Sequence, residues 1–217
     1  MRELKALLRK DLTTELRDKG DLIVKLSFAV AAGVVASAAA AYAEEPAMAV
    51  AGALIIFTVM TGLFEAYSSF IREALTGTLD GLRAAPVEGW LLLASKALVS
   101  SLWVWLELII FAATAAIFTL GLNPSWPPLL AWTVGEAVFM GGISSFVSAS
   151  LSYGEARAGG VALLVLSLSI PFLRVSVDPL IVSLSGTYPS PGGLASMSIA
   201  ALGFTAFTVV LGGLTLE

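Results

Sequence analysis

IREALTGTLDGLRAAPVEGW, residues 71–90, separates two long apolar runs, and the reading of the whole chain turns on it. Five charged side chains, Arg72, Glu73, Asp80, Arg83 and Glu88, fall within these twenty residues. On one side lies the apolar run from Ala47 to Phe70, and on the other the run from Leu91 to Leu120. At the helical rise of about 1.5 Å per residue, either run is long enough to cross a hydrocarbon core of about 30 Å. The segment between them therefore reads as a loop outside the lipid, where a water-soluble partner can grip.

Composition agrees with that reading. Apolar residues make up 58% of the 217 positions and charged residues only 13%, with a mean hydropathy of +0.92. A water-soluble core cannot enclose that much hydrocarbon, so the chain reads as an integral membrane protein. It contains no Cys and no His. Disulfides, thiolate or imidazole metal sites and Ser-His catalysis are thereby excluded for this chain alone. Its few cations form no concentrated basic patch of the kind that holds nucleic acid.

Working outward from the loop, the sequence predicts six spans: Leu22–Ala43, Ala47–Phe70, Leu91–Leu120, Leu129–Ser152, Gly160–Val177 and Leu194–Leu216. Residues 1–20 precede them, with Leu4, Leu8, Leu12 and Leu16 at four-residue spacing among charged groups. This pattern predicts an amphipathic helix lying in the membrane interface, bent into the first span at Gly20. Ala41 to Pro46, AYAEEP, resembles a signal-peptidase site, but an amphipathic helix of about twenty residues ahead of it argues against cleavage. Pro171 is expected to kink the fifth span, and Asp178–Gly193 reads as a polar loop. Glycines and serines in the fourth and sixth spans, such as Gly141, Gly142, Ser144, Ser148, Gly212 and Gly213, predict close helix packing.

Every Lys and Arg except Arg174 falls on one side of this topology. The positive-inside rule then places both termini and residues 71–90 in the cytoplasm. Lys96, in the first turns of the third span, is expected to snorkel to the same surface. Three carboxylates, Glu65, Glu107 and Glu136, lie within or near the apolar spans, and none has an evident intramembrane partner. Such groups are expected to face the bundle or a wet cavity, either as a polar path or as a latch between helices.

Within the loop, Arg72 and Glu73 extend the second span until Gly77 breaks it, and residues 78–85 form a short helix ended before Pro86. Thr78 is its expected N-cap. Leu79 and Leu82 lie on one face and Asp80 and Arg83 on the other, which suits a docking element.

The run Arg72, Glu73, Gly77, Thr78, Leu79, Asp80, Leu82, Pro86 and Lys96 resembles the CcmB family, haem exporter protein B, the membrane subunit of the cytochrome c maturation ABC transporter. The six-span layout and the pattern from Gly159 to Pro171 extend the likeness over most of the chain. The resemblance implies an all-α, ABC-2 type permease forming a single transmembrane domain over residues 1–217. It further implies a plasma-membrane location, a homodimer, and a separate cytoplasmic ABC ATPase that receives residues 71–90, with Arg83 beside the motif. Other cytochrome c maturation membrane proteins would be neighbours. ATP would bind the partner subunit, and haem would be cargo and not a cofactor of this chain. No GxxxxGK[ST] loop occurs in the sequence, so the chain is expected to be a transporter subunit and not an enzyme. Export of a lipid, glycan or drug by the same architecture, and a scaffold that works without ATP, are the alternative expectations.

Overall fold

The computed structural model describes residues 2–84, 87–151 and 157–216. Over these residues the chain is helical and contains no strand. The elements are α1 (Arg2–Arg17), α2 (Lys19–Ala40), α3 (Pro46–Ala66), a π-turn (Tyr67–Ile71), α4 (Arg72–Leu75), α5 (Leu79–Arg83), α6 (Gly89–Phe118), α7 (Trp126–Leu151), α8 (Arg157–Leu184) and α9 (Pro191–Leu216). Six helical stretches are long and apolar enough to cross a membrane, as expected, the second being the continuous run Pro46–Leu75.

Helix boundaries follow local chemistry. The bend after α1 falls at Asp18 and not at Gly20: the Asp18 carboxylate accepts the Asp21 N–H at 3.2 Å and so caps α2. An Asp side chain can satisfy one of the free N–H groups of a first turn, which Gly cannot. Pro46 opens α3 in its first turn, where its missing N–H costs nothing. The fifth span runs beyond the expected end at Val177 to Leu184, with Pro171 and Pro179 both inside α8. The polar loop of 178–193 correspondingly shrinks to residues 185–190. Leu180, Ser183 and Leu184 are buried, and the packing of the two leucines in the core holds the helix through a proline that would otherwise end it.

α7 is the central helix and packs against α3, α6, α8 and α9. Small residues make this possible. A Cβ on Gly142 would meet Thr205 of α9 at 2.9 Å, and one on Gly62 would meet Met140 at 3.0 Å. Polar side chains tie the same seams: Ser144 Oγ donates to the Gly62 carbonyl at 2.8 Å, Thr205 Oγ1 to the Val138 carbonyl at 3.0 Å, and Trp132 Nε1 to the Ser176 carbonyl at 2.8 Å. In an apolar medium without water to compete, close van der Waals contact and such bonds carry helix association. Outward-facing Ile23, Val24, Leu163, Ile170, Ile199 and Phe207 remain exposed, as lipid-facing residues should.

The start of α6 and the end of α9 lie together, since a Cβ on Gly213 would touch the Trp90 backbone. α1 packs on α6 near this same end, where the charged groups of the bundle collect.

Candidate functional site

The site is built where the second span leaves the bundle. Ser69, with φ −80° and ψ −124°, breaks the helical path inside the π-turn. The Ile71 N–H released by that break donates to Ser148 Oγ of α7 at 3.1 Å. A π-turn held by a side chain of a neighbouring helix is a defined joint, not a frayed end. Beyond it, α4 presents Arg72 and Glu73, and the chain reverses at Gly77. With φ +72°, this position lies in the left-handed region that L side chains rarely occupy. Thr76 Oγ1 donates to the Arg72 carbonyl at 3.1 Å and Thr78 Oγ1 to the Glu73 carbonyl at 3.3 Å, closing the turn.

α5 follows as expected, but its apolar face points inward. Leu79 is 2% exposed and packs with Phe70, Leu92, Leu93 and Ala149, with Leu82 and Val87 at the edge. Leu79 therefore anchors α5 to its own bundle and is not offered for insertion elsewhere. Thr78, just before α5, and Gly81 are exposed and border the cleft between the loop and α1. Pro86 and the side chains of Asp80 and Arg83 lie outside the described residues.

Glu73 is the node of the first ion cluster. Its Oε1 accepts from Lys10 of α1 and from Lys96 of α6, each at 2.8 Å, and Lys96 also pairs with Asp11 at 3.1 Å. Lys96 thus does not snorkel freely: it is largely buried between two carboxylates, with its ammonium 5.8 Å from the centre of the Phe70 ring. Burial pulls the Lys10 ammonium down, but hydrogen bonding and attraction to Glu73, with Asp11 adding to both, outweigh it and hold Lys10 above the ordinary lysine range. Arg72 reaches Glu15 at 3.7 Å and Asp18 at 3.9 Å.

A second cluster lies deeper. Lys25 of α2 donates to Glu65 of α3 at 2.5 Å and lies 3.4 Å from Asp21 and 3.7 Å from Glu15. The expectation that Glu65 lacks an intramembrane partner is thereby overturned. A residue assigned to the surface by its early position in the first span is 7% exposed and turned into the bundle. Glu15 belongs to both clusters, so one carboxylate joins α1 to α2 and to α4. Between α1, the loop and α6 lies an open cleft of about 600 Å³, lined by the first cluster with Glu15 and Arg72.

Asp11, Glu15 and Asp18 were not among the residues expected to build the site. Their spacing of four and three residues puts them on one helical face, and that spacing was the available signal.

Of the other two intramembrane carboxylates, Glu107 lies within electrostatic reach of the second cluster without an ion pair to it among the described residues, and Glu136 stands apart from both clusters. Glu107 of α6 is 2% exposed. Glu136 of α7 is fully buried, and neither of its oxygens has a hydrogen-bond partner among the described residues. Ser176 neighbours it but donates to the Leu173 carbonyl at 3.3 Å. A buried polar group without a partner costs about 1–3 kcal/mol. Glu136→Met is therefore expected to raise the thermal unfolding temperature of the purified protein, and an unchanged or lower temperature would show that the carboxyl is satisfied in the bundle.

A six-span helical bundle with a charged, helix-bearing loop between its second and third spans is the architecture of a polytopic permease. The ABC-2 type transporter family matches residues 2–177, and the chain belongs to that family. It is a membrane permease subunit of an ABC transporter, which implies an ABC ATPase as partner and excludes this subunit from being the ATPase. No curated protein matches the chain.

Proposed function

We propose that residues 71–90 are the coupling element of this permease and that α5 sits in a cleft of the ABC ATPase. Lying with the ion clusters, this end of the bundle holds almost all of the chain's cations, so by the positive-inside rule it is cytoplasmic, with both termini. Residues 1–217 act as one transmembrane domain of a plasma-membrane protein, two copies pairing as a homodimer above two ATPase subunits, with residues 1–20 in the interface.

One observation carries the reading. α5 is fastened to the bundle through Leu79, and Glu73 just before it bonds at once to α1 and α6. A displacement imposed on α5 is therefore delivered to α1, α3 and α6 together. Arg72, Glu73, Gly77 and Leu79 build the linkage, with Leu82 at the edge of the same apolar cluster, while Thr78, Gly81 and, by sequence, Asp80, Arg83 and Pro86 border the partner.

For cargo, the resemblance to haem exporter protein B supports a role in cytochrome c maturation. ATP hydrolysis on the partner would then drive haem export or release of a haem-loaded chaperone. With no His or Cys to ligate iron strongly, the chain fits transmission of force better than tight haem binding. Glu65 belongs to the linkage through Lys25, whereas Glu107 and Glu136 are the carboxylates that remain for a polar path.

Gly81 supplies the test, because a Cβ there meets nothing within 4 Å. Gly81→Trp is expected to leave the unfolding temperature of the permease unchanged while abolishing co-purification of the ATPase. Undiminished co-purification would remove α5 from the interface. A haem Soret band that requires this subunit in the purified complex would assign haem contact to the permease and overturn the preference for force transmission.

A further inference from the structure

The charges along α1 differ from face to face. Asp11 and Glu15 turn toward the bundle, where Lys96 and Lys25 pair with them, and Asp18, exposed at the junction with α2, reaches Arg72 at 3.9 Å. Lys5, Arg9 and Arg17 point the other way, are exposed, and form no ion pair or hydrogen bond through their side chains among the described residues. With Thr13 they recur every four residues, so they form one stripe about 18 Å long at the helical rise. A shallow groove of about 640 Å³ follows that stripe, lined by Lys5, Ala6, Arg9, Thr13 and Arg17 with Lys10 and Thr14 at its edge.

The apolar surroundings identify what covers the stripe. Leu16, beside Arg17, is 58% exposed, and Ile23 and Val24, just into the first span, are 61% and 66% exposed. The stripe is thus continuous with surface that hydrocarbon covers. Cations bordering such surface sit at headgroup depth, and the groove along this stripe is lined by no acid, so it offers only positive charge there.

We infer that the Lys5, Arg9 and Arg17 stripe of α1 binds the headgroups of anionic phospholipids. The inference rests on α1 lying in the membrane interface. It also gives the bilayer a route to the coupling loop: headgroups hold the outer face of α1, and Asp11 and Glu15 on its inner face hold Lys96 and Arg72. A membrane poor in anionic lipid would leave α1 fastened on one side only.

The test uses the full chain in nanodiscs of phosphatidylcholine alone or mixed with phosphatidylglycerol, and it needs no ATPase, so its failure is separate from failure of the coupling proposal. Native mass spectrometry counts lipids retained on release from the disc. Wild type is expected to retain phosphatidylglycerol in preference to phosphatidylcholine, and to unfold at higher temperature in the mixed discs. The triple variant Lys5→Gln, Arg9→Gln, Arg17→Gln is expected to lower apparent phosphatidylglycerol affinity on the order of tenfold to a hundredfold at low salt, since each cation near an anionic surface contributes appreciably. Arg9→Lys with Arg17→Lys is expected to keep it. All these side chains are exposed, and unfolding in phosphatidylcholine discs checks that the variants fold. Equal retention of phosphatidylglycerol by wild type and the triple variant overturns the inference.

Discussion

Lys25→Met is expected to destabilise the permease by about 3–5 kcal/mol, because it strands the Glu65 carboxylate in the bundle with its strongest partner gone. Both side chains are almost completely enclosed, at 8% and 2% exposure. The cost reflects an uncompensated buried charge, which exceeds the net contribution of the intact pair. The double variant Lys25→Met, Glu65→Met is accordingly expected to recover most of the loss, since replacing a buried pair by apolar groups of similar size is often neutral or stabilising. Thermal unfolding in detergent, followed by size-exclusion elution, reads both. A double variant as unstable as the single one would mean that Lys25 acts chiefly through Asp21 and Glu15, the other members of its cluster.

Much of this architecture is written plainly in the chain. A transmembrane helix must satisfy its backbone internally, so span count follows from runs of hydrocarbon, and the interruption at 71–90 was visible as charge. Gly77 was readable as a break because a helix end often requires a left-handed residue. What a hydropathy reading cannot reach is pairing across helices. Lys25 and Glu65 are forty positions apart, and each alone looks like a polar group at interface depth. Asp11, Glu15 and Asp18 looked like ordinary solvated acids on an amphipathic helix. Only the fold of α1 back over α4 and α6 turns them into partners of Arg72 and Lys96. The inward turn of Leu79 escaped for a related reason. An amphipathic helix of five residues has a face, but the sequence does not say whether its own bundle or a partner covers it. α8 shows the opposite failure, since Asp178 and Pro179 are breakers by local rules and tertiary packing of Leu180 and Leu184 overrides them.

The second large effect is expected at Gly141, where α7 passes over α6. A Cβ added there would lie 2.6 Å from both the Ala97 carbonyl oxygen and the Ser101 N. Those atoms belong to the backbone of α6 and cannot rotate away as a side-chain tip could. The two helices must therefore separate, and the separation would be felt along their whole contact. Gly141→Ala is expected to fall at the upper end of the about 1–3 kcal/mol usual for overpacking, and Gly141→Val beyond it. Gly52 and Gly203 provide controls, because a Cβ at either meets nothing within 4 Å. Ala at those positions removes helix-interior glycine without a clash, so it is expected to be neutral or stabilising by about 0.5–1 kcal/mol. A loss at Gly141→Ala no greater than at the controls would show that α6 and α7 slide freely past each other. In that event the push on α5 would reach α7 through Ser148 and Ala149 alone, and not through α6.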